Sequence, residues 1–359
     1  MNPVLRTRLC TALDLRVPIV QTGMGWVAGA SLCAATCEAG GLGILAAATM
    51  TPDQLTAAIG KVRERTQGTF GVNLRTDHPD TDAITNIIVK SGVRVASFAR
   101  APSKDVISKF RDAGIYTMAT VGAPRHAEKV AQWGIDAVIA QGAEGGGHTG
   151  AIATTLLLPR VRDAVDIPVI AAGGFFDGRG LVAALAYGAD GVAMGTRFLL
   201  TRDSTVPDSV KQTYVKAGLM DTVVTTAVDG VPQRVVRTAL IDRLEVARPL
   251  ARLFAAVRYA IAFQRETGGP LIGLLREAIL MKRQNELTWA QVAMAANAPM
   301  ATKAALVDGN LGAGVLPTGQ VVGAIDELPS VAELIDRIIA EADATLARLG
   351  SPGAPTLEA

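Results

Sequence analysis

A glycine-rich run carries the strongest candidate for a catalytic group. It reads Gln141-Gly-Ala-Glu-Gly-Gly-Gly-His-Thr-Gly150 and places one imidazole, that of His148, among residues with small or no side chains. Glycine lets a backbone pass close to a planar ligand, but ordering it costs conformational entropy, which indicates a loop that faces a ligand. A lone histidine is usually structural, but the glycines around His148 favour a functional role for its imidazole.

Two later turns have the composition of a phosphate-binding loop. Ala172-Gly-Gly174 and Met194-Gly-Thr196 each follow an apolar run. Glycine leaves backbone N–H groups uncovered, and the threonine hydroxyl adds another donor. Taken alone, each turn is equally compatible with a tight bend of the chain. The residues predicted to hold the phosphate are Gly173, Gly174, Gly195 and Thr196.

Polar residues also follow the first and third apolar runs of the chain. The first run continues into Gln21-Thr-Gly-Met24, and the third contains Gly71-Val-Asn73. The amide of Asn73 offers both a donor and an acceptor, which suits the polar edge of a heterocycle. An asparagine that caps a turn is the alternative interpretation.

Other catalytic chemistries lack their motifs in this sequence. It contains no HExxH, no Cys/His spacing suited to a metal ion, and no GxSxG elbow. We interpret His78 and His126 as structural residues, since neither lies in a glycine-rich loop. No metal cofactor is therefore predicted.

The candidate residues must be positioned by a repeating unit of strand and helix. Apolar, β-rich runs begin near residues 17, 42, 70, 93, 116, 137, 168 and 191, so successive starts are 21 to 31 residues apart. That is the length of one βα unit, and right-handed connections make such strands parallel. Eight units predict an α/β fold, the (β/α)8 TIM barrel, whose active face lies at the carboxyl ends of the strands. A doubly wound open sheet is the competing architecture, although its GxGxxG turn is missing.

The chain changes character after the eighth predicted strand. Residues 231–290 hold nine arginines and Lys282 against five acidic residues, and they read as helical with breaks at Pro249 and at 268–270. We interpret this segment either as solvated basic helix faces or as a cap that receives a phosphorylated substrate. The predicted organisation is a barrel over residues 1–230, a helical basic cap over 231–300, and a return to the barrel with a C-terminal helix over 301–359.

Composition restricts the class of protein and its compartment. Of the 359 residues 49% are hydrophobic and 19% are charged, which excludes a disordered chain. A net charge of +2 argues against a nucleic-acid partner. Three cysteines without a CxxC pair, and a start without an apolar signal segment, predict a cytoplasmic protein. The uncharged run 17–37 contains glycine and proline, so no membrane span is predicted, and Leu- and Ala-rich helices are compatible with a homo-oligomer.

Together these motifs resemble the nitronate monooxygenase (2-nitropropane dioxygenase-like) family of FMN barrels, which also includes flavin-dependent enoyl reductases. The resemblance covers roughly residues 10–335 and is carried by Pro18–Met24, Gly71–Asn73, Gln141–His148, Ala172–Gly174, Met194–Phe198 and Gly319-Gln320. It implies an FMN cofactor, with its phosphate at the two glycine turns, its ring against residues 21–24 and Asn73, and His148 as the acid/base residue. The cofactor-binding residues that it implies are Gln21, Thr22, Gly23, Met24, Asn73, Gln141, Gly146, Gly147, Gly173, Gly174, Gly195, Thr196 and Gln320.

Two departures from the family pattern narrow the resemblance. Typical nitronate enzymes carry Ala-Pro-Met and Glu-Ala-Gly-Gly-His where this chain has Thr22-Gly-Met24 and Glu144-Gly-Gly-Gly-His148. With Gly173-Gly-Phe-Phe-Asp-Gly178 and the basic insertion, the chain looks closer to a subgroup from actinobacterial steroid catabolism. That subgroup acts on a bicyclic indane-carboxyl-CoA thioester and introduces a ring double bond.

The resemblance therefore implies an FMN-dependent oxidoreductase that acts on this CoA thioester. A thioester acidifies its α-carbon, so His148 would remove the α-proton while a hydride passes to flavin N5. Arg234, Arg237 and Arg243 are predicted to bind the CoA phosphates. NAD(P)+, O2 and a partner protein are all candidates for reoxidising the flavin. The alternative activity is that of a nitronate monooxygenase that oxidises alkyl nitronates with O2, and a third hypothesis is a barrel that binds FMN without turnover.

Overall fold

The structure is a computed structural model, and it describes residues 1–76, 80–246 and 289–351. His78, Pro249, Lys282 and the predicted break at 268–270 lie outside the described residues. The chain forms two compact units. The larger unit comprises Met1–Gly145, Gly150–Thr205 and Ile325–Ala359, and the smaller unit comprises Gly146–Thr149 and Val206–Ala324.

The larger unit contains a closed barrel of eight parallel strands. In chain order these are β1 (Ile19–Gln21), β2 (Leu42–Ala46), β3 (Phe70–Leu74), β4 (Val95–Phe98), β5 (Tyr116–Val121), β6 (Ala137–Gln141), β8 (Val169–Ala172) and β9 (Gly191–Met194). The barrel closes where β9 pairs with β1, with Ala193 beside Val20. The predicted (β/α)8 barrel is confirmed, and each strand begins within two residues of its predicted start.

Helices flank the barrel strands, and α2 to α8 connect consecutive strands. They are α1 (Arg8–Leu13), which precedes β1, then α2 (Ala30–Glu38), α3 (Pro52–Arg63), α4 (Thr81–Ser91), α5 (Lys104–Asp112), α6 (Pro124–Gln132), α7 (Thr154–Ala164), α8 (Gly178–Ala186), the short α9 (Thr196–Leu199) and the C-terminal α13 (Val331–Gly350). Capping boxes fix the starts of α3 and α13, because Thr51 and Ser330 exchange hydrogen bonds with Gln54 and Glu333.

The helix α1 covers the amino-terminal end of the barrel. Its Leu9 and Leu13 are buried against apolar residues of the strands, among them Leu42 and Ala137 at the starts of β2 and β6. The guanidinium of Arg8 also pairs with Asp190, one residue before β9, at 2.7 Å. With this end covered, the carboxyl ends of the strands are the end of the barrel available for a site.

The smaller unit is built on a three-stranded antiparallel sheet with the order β10-β11-β7. Its strands are β7 (Gly147–His148), β10 (Thr222–Thr225) and β11 (Gln233–Val236), and its described helices are α10 (Asp208–Val215), α11 (Ala239–Val246), α12 (Trp289–Leu306) and a 3-10 turn, Gln320–Ala324. Val228, Val235, Ile241 and Val315 form its buried core. This core is distinct from that of the barrel, as expected for a separate compact unit.

The predicted helical character of residues 231–290 is wrong at the start of that segment. Residues 233–236 form β11, which pairs with β10 and β7; the loop 226–232, which contains Asp229-Gly230, reverses the chain between β10 and β11. Residues 239–246 are helical as predicted, and 247–288 lie outside the described residues. The predicted segment boundaries at residues 230 and 300 stay predictions.

Among the helices that the structure describes, none combines the length and the apolar character needed to cross a lipid bilayer.

Candidate active site

The predicted site residues fall into two groups, one in each unit. Those in the larger unit lie at or just after the carboxyl ends of barrel strands, and they are Gln21, Thr22, Gly23, Met24, Asn73, Gln141, Gly173, Gly174, Gly195 and Thr196. Those in the smaller unit are Gly146, Gly147, His148, Arg234, Arg237, Arg243 and Gln320.

The loop after β1 contacts residues at the carboxyl ends of β9 and β3. A Cβ atom on Gly195 would lie 3.4 Å from Thr22 Cγ2 and from Met24 Sδ, so the end of β9 packs directly on this loop. A Cβ atom on Gly23 would lie only 2.3 Å from the Cβ of Asn73, so no larger residue fits there unless the loop moves. The structure therefore brings these five predicted residues together.

Two of the predicted polar side chains bond within the protein. Gln21 is fully buried, and its amide donates to the carbonyl of Ile44 and accepts from the N–H of Ile44. The amide nitrogen of Asn73 donates to Ser97 Oγ at 3.3 Å. The bonds to Ile44 indicate that Gln21 holds the backbone at the end of β1 in place.

The turn after β8 packs on the loop after β6. Gly173 and Gly174 have φ values of 96° and 83°, a region that residues with side chains rarely adopt. A Cβ atom on Gly173 would lie 3.1 Å from the carbonyl oxygen of Gly142. Thr154, the first residue of α7, joins the two segments, because its hydroxyl lies 2.6 Å from a Glu144 carboxylate oxygen and 3.1 Å from the Gly173 carbonyl.

The carboxyl end of the barrel presents uncovered backbone donors. Within the described part of the chain, no hydrogen bond reaches the backbone N–H of Gly174 or of Gly195. Gly122, which follows β5 and was missed in the sequence, has open space where a Cβ atom would stand. Uncovered amides beside glycines bind anionic oxygens well. This end of the barrel therefore fits a ligand that carries a phosphate group.

In the smaller unit, His148 forms a close pair with a carboxylate that the sequence analysis missed. Strand β7 is antiparallel to β11, with His148 opposite Gln233. The Nε2 atom of His148 lies 2.6 Å from Oδ2 of Asp229. The side chain of His148 is 49% exposed, whereas that of Asp229 is 9% exposed. The imidazole is thus anchored on a buried carboxylate and keeps contact with solvent.

The electrostatics of this pair favour an ionised carboxylate. Burial alone would raise the pKa of Asp229, but the hydrogen bond and charge of His148 lower it. The backbone N–H of Val231, 3.0 Å from Oδ1, and the side chain of Gln233 lower it further. The net result is a pKa below the ordinary value for aspartate, so Asp229 is a carboxylate at neutral pH.

Asp229 is far from His148 in sequence, and only a local signal marks its position. An Asp-Gly dipeptide between two β-rich runs indicates a hairpin turn. Here Asp229-Gly230 stands between β10 and β11, and the register of β11 against β7 places the turn beside His148. The signal identifies the turn, but the partner of the carboxylate follows only from the sheet.

The three predicted CoA-binding arginines lie on β11 and on the segment that follows it. Arg234 is half-buried and donates from Nη1 to Thr222 Oγ1 at 3.0 Å. Arg237 is exposed and pairs with Asp242 at 2.8 Å, and Arg243 is exposed on α11. The other arginines of the basic segment lie within residues 247–288, outside the described residues.

Comparison with known proteins supplies a family and relatives. The model of the protein family described as "Nitronate monooxygenase" matches residues 6–341. A (3aS,4S,5R,7aS)-5-hydroxy-7a-methyl-1-oxo-octahydro-1H-indene-4-carboxyl-CoA dehydrogenase of Mycobacterium tuberculosis is 57% identical over 94% of this chain and 96% of its own length. A protein of the same name from Rhodococcus jostii is 55% identical over 97% and 98%. The solved structure of FabK from Thermotoga maritima aligns with a TM-score of 0.79 and 34% identity over 96% of this chain and 98% of its own.

Proposed function

This chain belongs to the nitronate monooxygenase family and is an oxidoreductase of the flavin type, and from that premise we propose that it is an FMN-dependent dehydrogenase of a bicyclic indane-carboxyl-CoA thioester. The observation that carries the proposal is the near full-length similarity to two actinobacterial proteins named for that substrate. The motif departures after β1 and β6 support the same subgroup.

We propose that the carboxyl end of the barrel holds the FMN. Gly173, Gly174, Gly195 and Thr196 would bind its phosphate, residues 21–24 and Asn73 would contact its ring, and Gln141, Gly146, Gly147 and Gln320 complete the proposed set. The uncovered N–H groups of Gly174 and Gly195 support this assignment. When bound, FMN accepts two electrons together with a hydrogen from a substrate carbon.

His148 is the proposed base. The carbon next to a thioester carbonyl is acidified because the carbonyl delocalises the negative charge, so an imidazole can remove its proton. His148 would take the α-proton, a hydride would pass from the adjacent carbon to the bound FMN, and a C=C bond would form between the two carbons. The chain supports this role, since His148 follows the last residue of β6 by seven positions and pairs with an ionised carboxylate.

The visible spectrum of the flavin under anaerobic conditions tests the proposed activity. We expect the indane-carboxyl-CoA thioester to bleach the flavin absorbance near stoichiometrically, and propionate 3-nitronate to leave it unchanged. Bleaching by the nitronate and not by the thioester would instead support nitronate oxidation, the activity for which the family is named. A purified protein that takes up no FMN would contradict the proposed cofactor.

The arginines of the smaller unit are proposed to bind the CoA phosphates. The triple replacement Arg234→Ala, Arg237→Ala and Arg243→Ala is expected to raise KM for the thioester roughly 10–100-fold with little change in kcat, because charge-assisted hydrogen bonds to phosphate are lost. Steady-state kinetics measures the effect. A matched triple of exposed barrel arginines, Arg63→Ala, Arg111→Ala and Arg160→Ala, keeps the wild-type KM. An unchanged KM in the first triple would refute the assignment.

A further inference from the structure

We propose that Asp229 is a positioning residue, which fixes the proton on Nε2 of His148 and so makes Nδ1 the proton-accepting atom. The inference rests on the proposed role of His148 as the base. The contacts that support it all lie within the smaller unit of the protein.

The distance between the two side chains determines where the imidazole proton lies. Oδ2 of Asp229 is 2.6 Å from Nε2 of His148, well within hydrogen-bond range. An ionised carboxylate can only accept hydrogen bonds, so Nε2 must be the donor. A neutral imidazole has one N–H group and one nitrogen lone pair, which places the lone pair on Nδ1.

The carboxylate is itself held in one orientation. Its Oδ1 accepts from the backbone N–H of Val231 at 3.0 Å, and the side chain of Gln233 donates a further hydrogen bond. Gln233 is also the residue opposite His148 in the β7–β11 register. One strand pairing therefore sets the positions of the imidazole and of its carboxylate partner, which limits rotation of the ring.

Arg234 is the other ionisable side chain of residues 222–236. Arg234 donates from Nη1 to Thr222 Oγ1 across the β10–β11 pair. Asp229 is the carboxylate of this segment, and it bonds to the ring. When His148 takes a proton on Nδ1, the ring becomes a cation, and the adjacent carboxylate stabilises its positive charge.

The variant Asp229→Asn tests the inference, because an amide can donate to Nε2 and reverse the tautomer. In the wild-type protein, 15N NMR reports which ring nitrogen of an uncharged imidazole carries the proton. We expect it to show His148 with a protonated Nε2 and an unprotonated Nδ1. In Asp229→Asn the two nitrogens exchange these states. His148→Gln identifies the signals, since the chain has three histidines and this variant lacks one set.

Kinetics provides the second readout. With the lone pair on the wrong nitrogen, kcat of Asp229→Asn is expected to fall roughly 10²–10⁴-fold, while KM stays within about twofold. A matched control is Asp308→Asn, which removes the half-exposed partner of Lys303 in the same unit and should leave both the tautomer and kcat unchanged. An unaltered tautomer in Asp229→Asn, or a rise in KM at constant kcat, would overturn the inference.

The tautomer is measured without substrate, so it separates this inference from the proposed function. If the wild-type protein does not oxidise the CoA thioester at all, the proposed function is refuted, whereas the NMR result on the tautomer of His148 stays valid. If Asp229→Asn does not fold, Asp229→Glu keeps a carboxylate and should retain the protonated Nε2 with partial kcat. A Glu variant with the reversed tautomer would contradict the inference.

Discussion

The variant His148→Gln is expected to turn over the CoA thioester roughly 10²–10⁴-fold more slowly than the wild-type protein, the usual contribution of a positioned acid/base group. The glutamine amide can still donate to Asp229, which preserves the buried carboxylate's hydrogen bond, but it cannot accept the α-proton. The loss should therefore appear in kcat, and KM should change little. Anaerobic stopped-flow measurement of flavin bleaching follows the step directly.

The matched control is His126→Gln, on the exposed surface of α6 in the larger unit. It changes the same residue type outside the proposed site, so turnover should equal that of the wild-type protein. A His148→Gln variant that turns over within about twofold of the wild type would refute the role of His148 as the base.

The substitution Gly173→Ala is expected to abolish retention of the flavin. At a φ of 96° an alanine pays roughly 1–2 kcal/mol of backbone strain, and its Cβ would stand 3.1 Å from the carbonyl oxygen of Gly142. Relief of that contact would move the turn after β8 away from the loop after β6, together with the amide of Gly174. The flavin-to-protein absorbance ratio after gel filtration measures retention, and thermal unfolding reports the strain.

Gly60→Ala is the appropriate comparison for this glycine variant. Gly60 lies on the exposed face of α3 in the same unit, has an ordinary φ, and has no neighbour among the described residues within 4 Å of where its Cβ would stand, its own helix backbone aside. Flavin content should match that of the wild-type protein, and the unfolding temperature should be equal or slightly higher because alanine favours a helix. Stoichiometric flavin in Gly173→Ala would show that the turn after β8 does not hold the phosphate.

The barrel was predictable because each of its strands is apolar on both faces. Phe70–Leu74 and Ala137–Gln141, for example, are runs that a helix and the barrel interior bury from opposite sides. Their regular spacing with helices between them leaves few alternative topologies. For the same reason the residues that follow the strands, such as Gly173 and Gly195, could be assigned to one end of the barrel.

The smaller unit was predicted less well, since its strands are short and amphipathic. Strands β10 (Thr222–Thr225) and β11 (Gln233–Val236) have four residues each. Strand β11 was missed because it lies in the long basic segment, which was interpreted as helical. The net charge of a segment does not determine its secondary structure, whereas the Asp229-Gly230 turn does indicate a hairpin. The pairing of Asp229 with His148 depends on strand register, which cannot be read from a single sequence.

Gln21 has a structural role within the barrel that the sequence does not reveal. The family resemblance implies that this residue contacts the cofactor, which stays a prediction. The register of β1 against β2 brings its amide to both backbone groups of Ile44. The backbone of residues 22–24 can still form the proposed contact, and its position depends on the bonds of Gln21.

The chain leaves the barrel unit for four residues, Gly146–Thr149, and then returns to it. These four residues place the imidazole of His148 on a sheet whose other strands come from much later in the chain. As a result, the imidazole and the turns of the barrel depend on different long-range pairings of the chain. A register slip of β11 against β7 would displace the imidazole and leave the hydrogen bonds between the barrel strands intact.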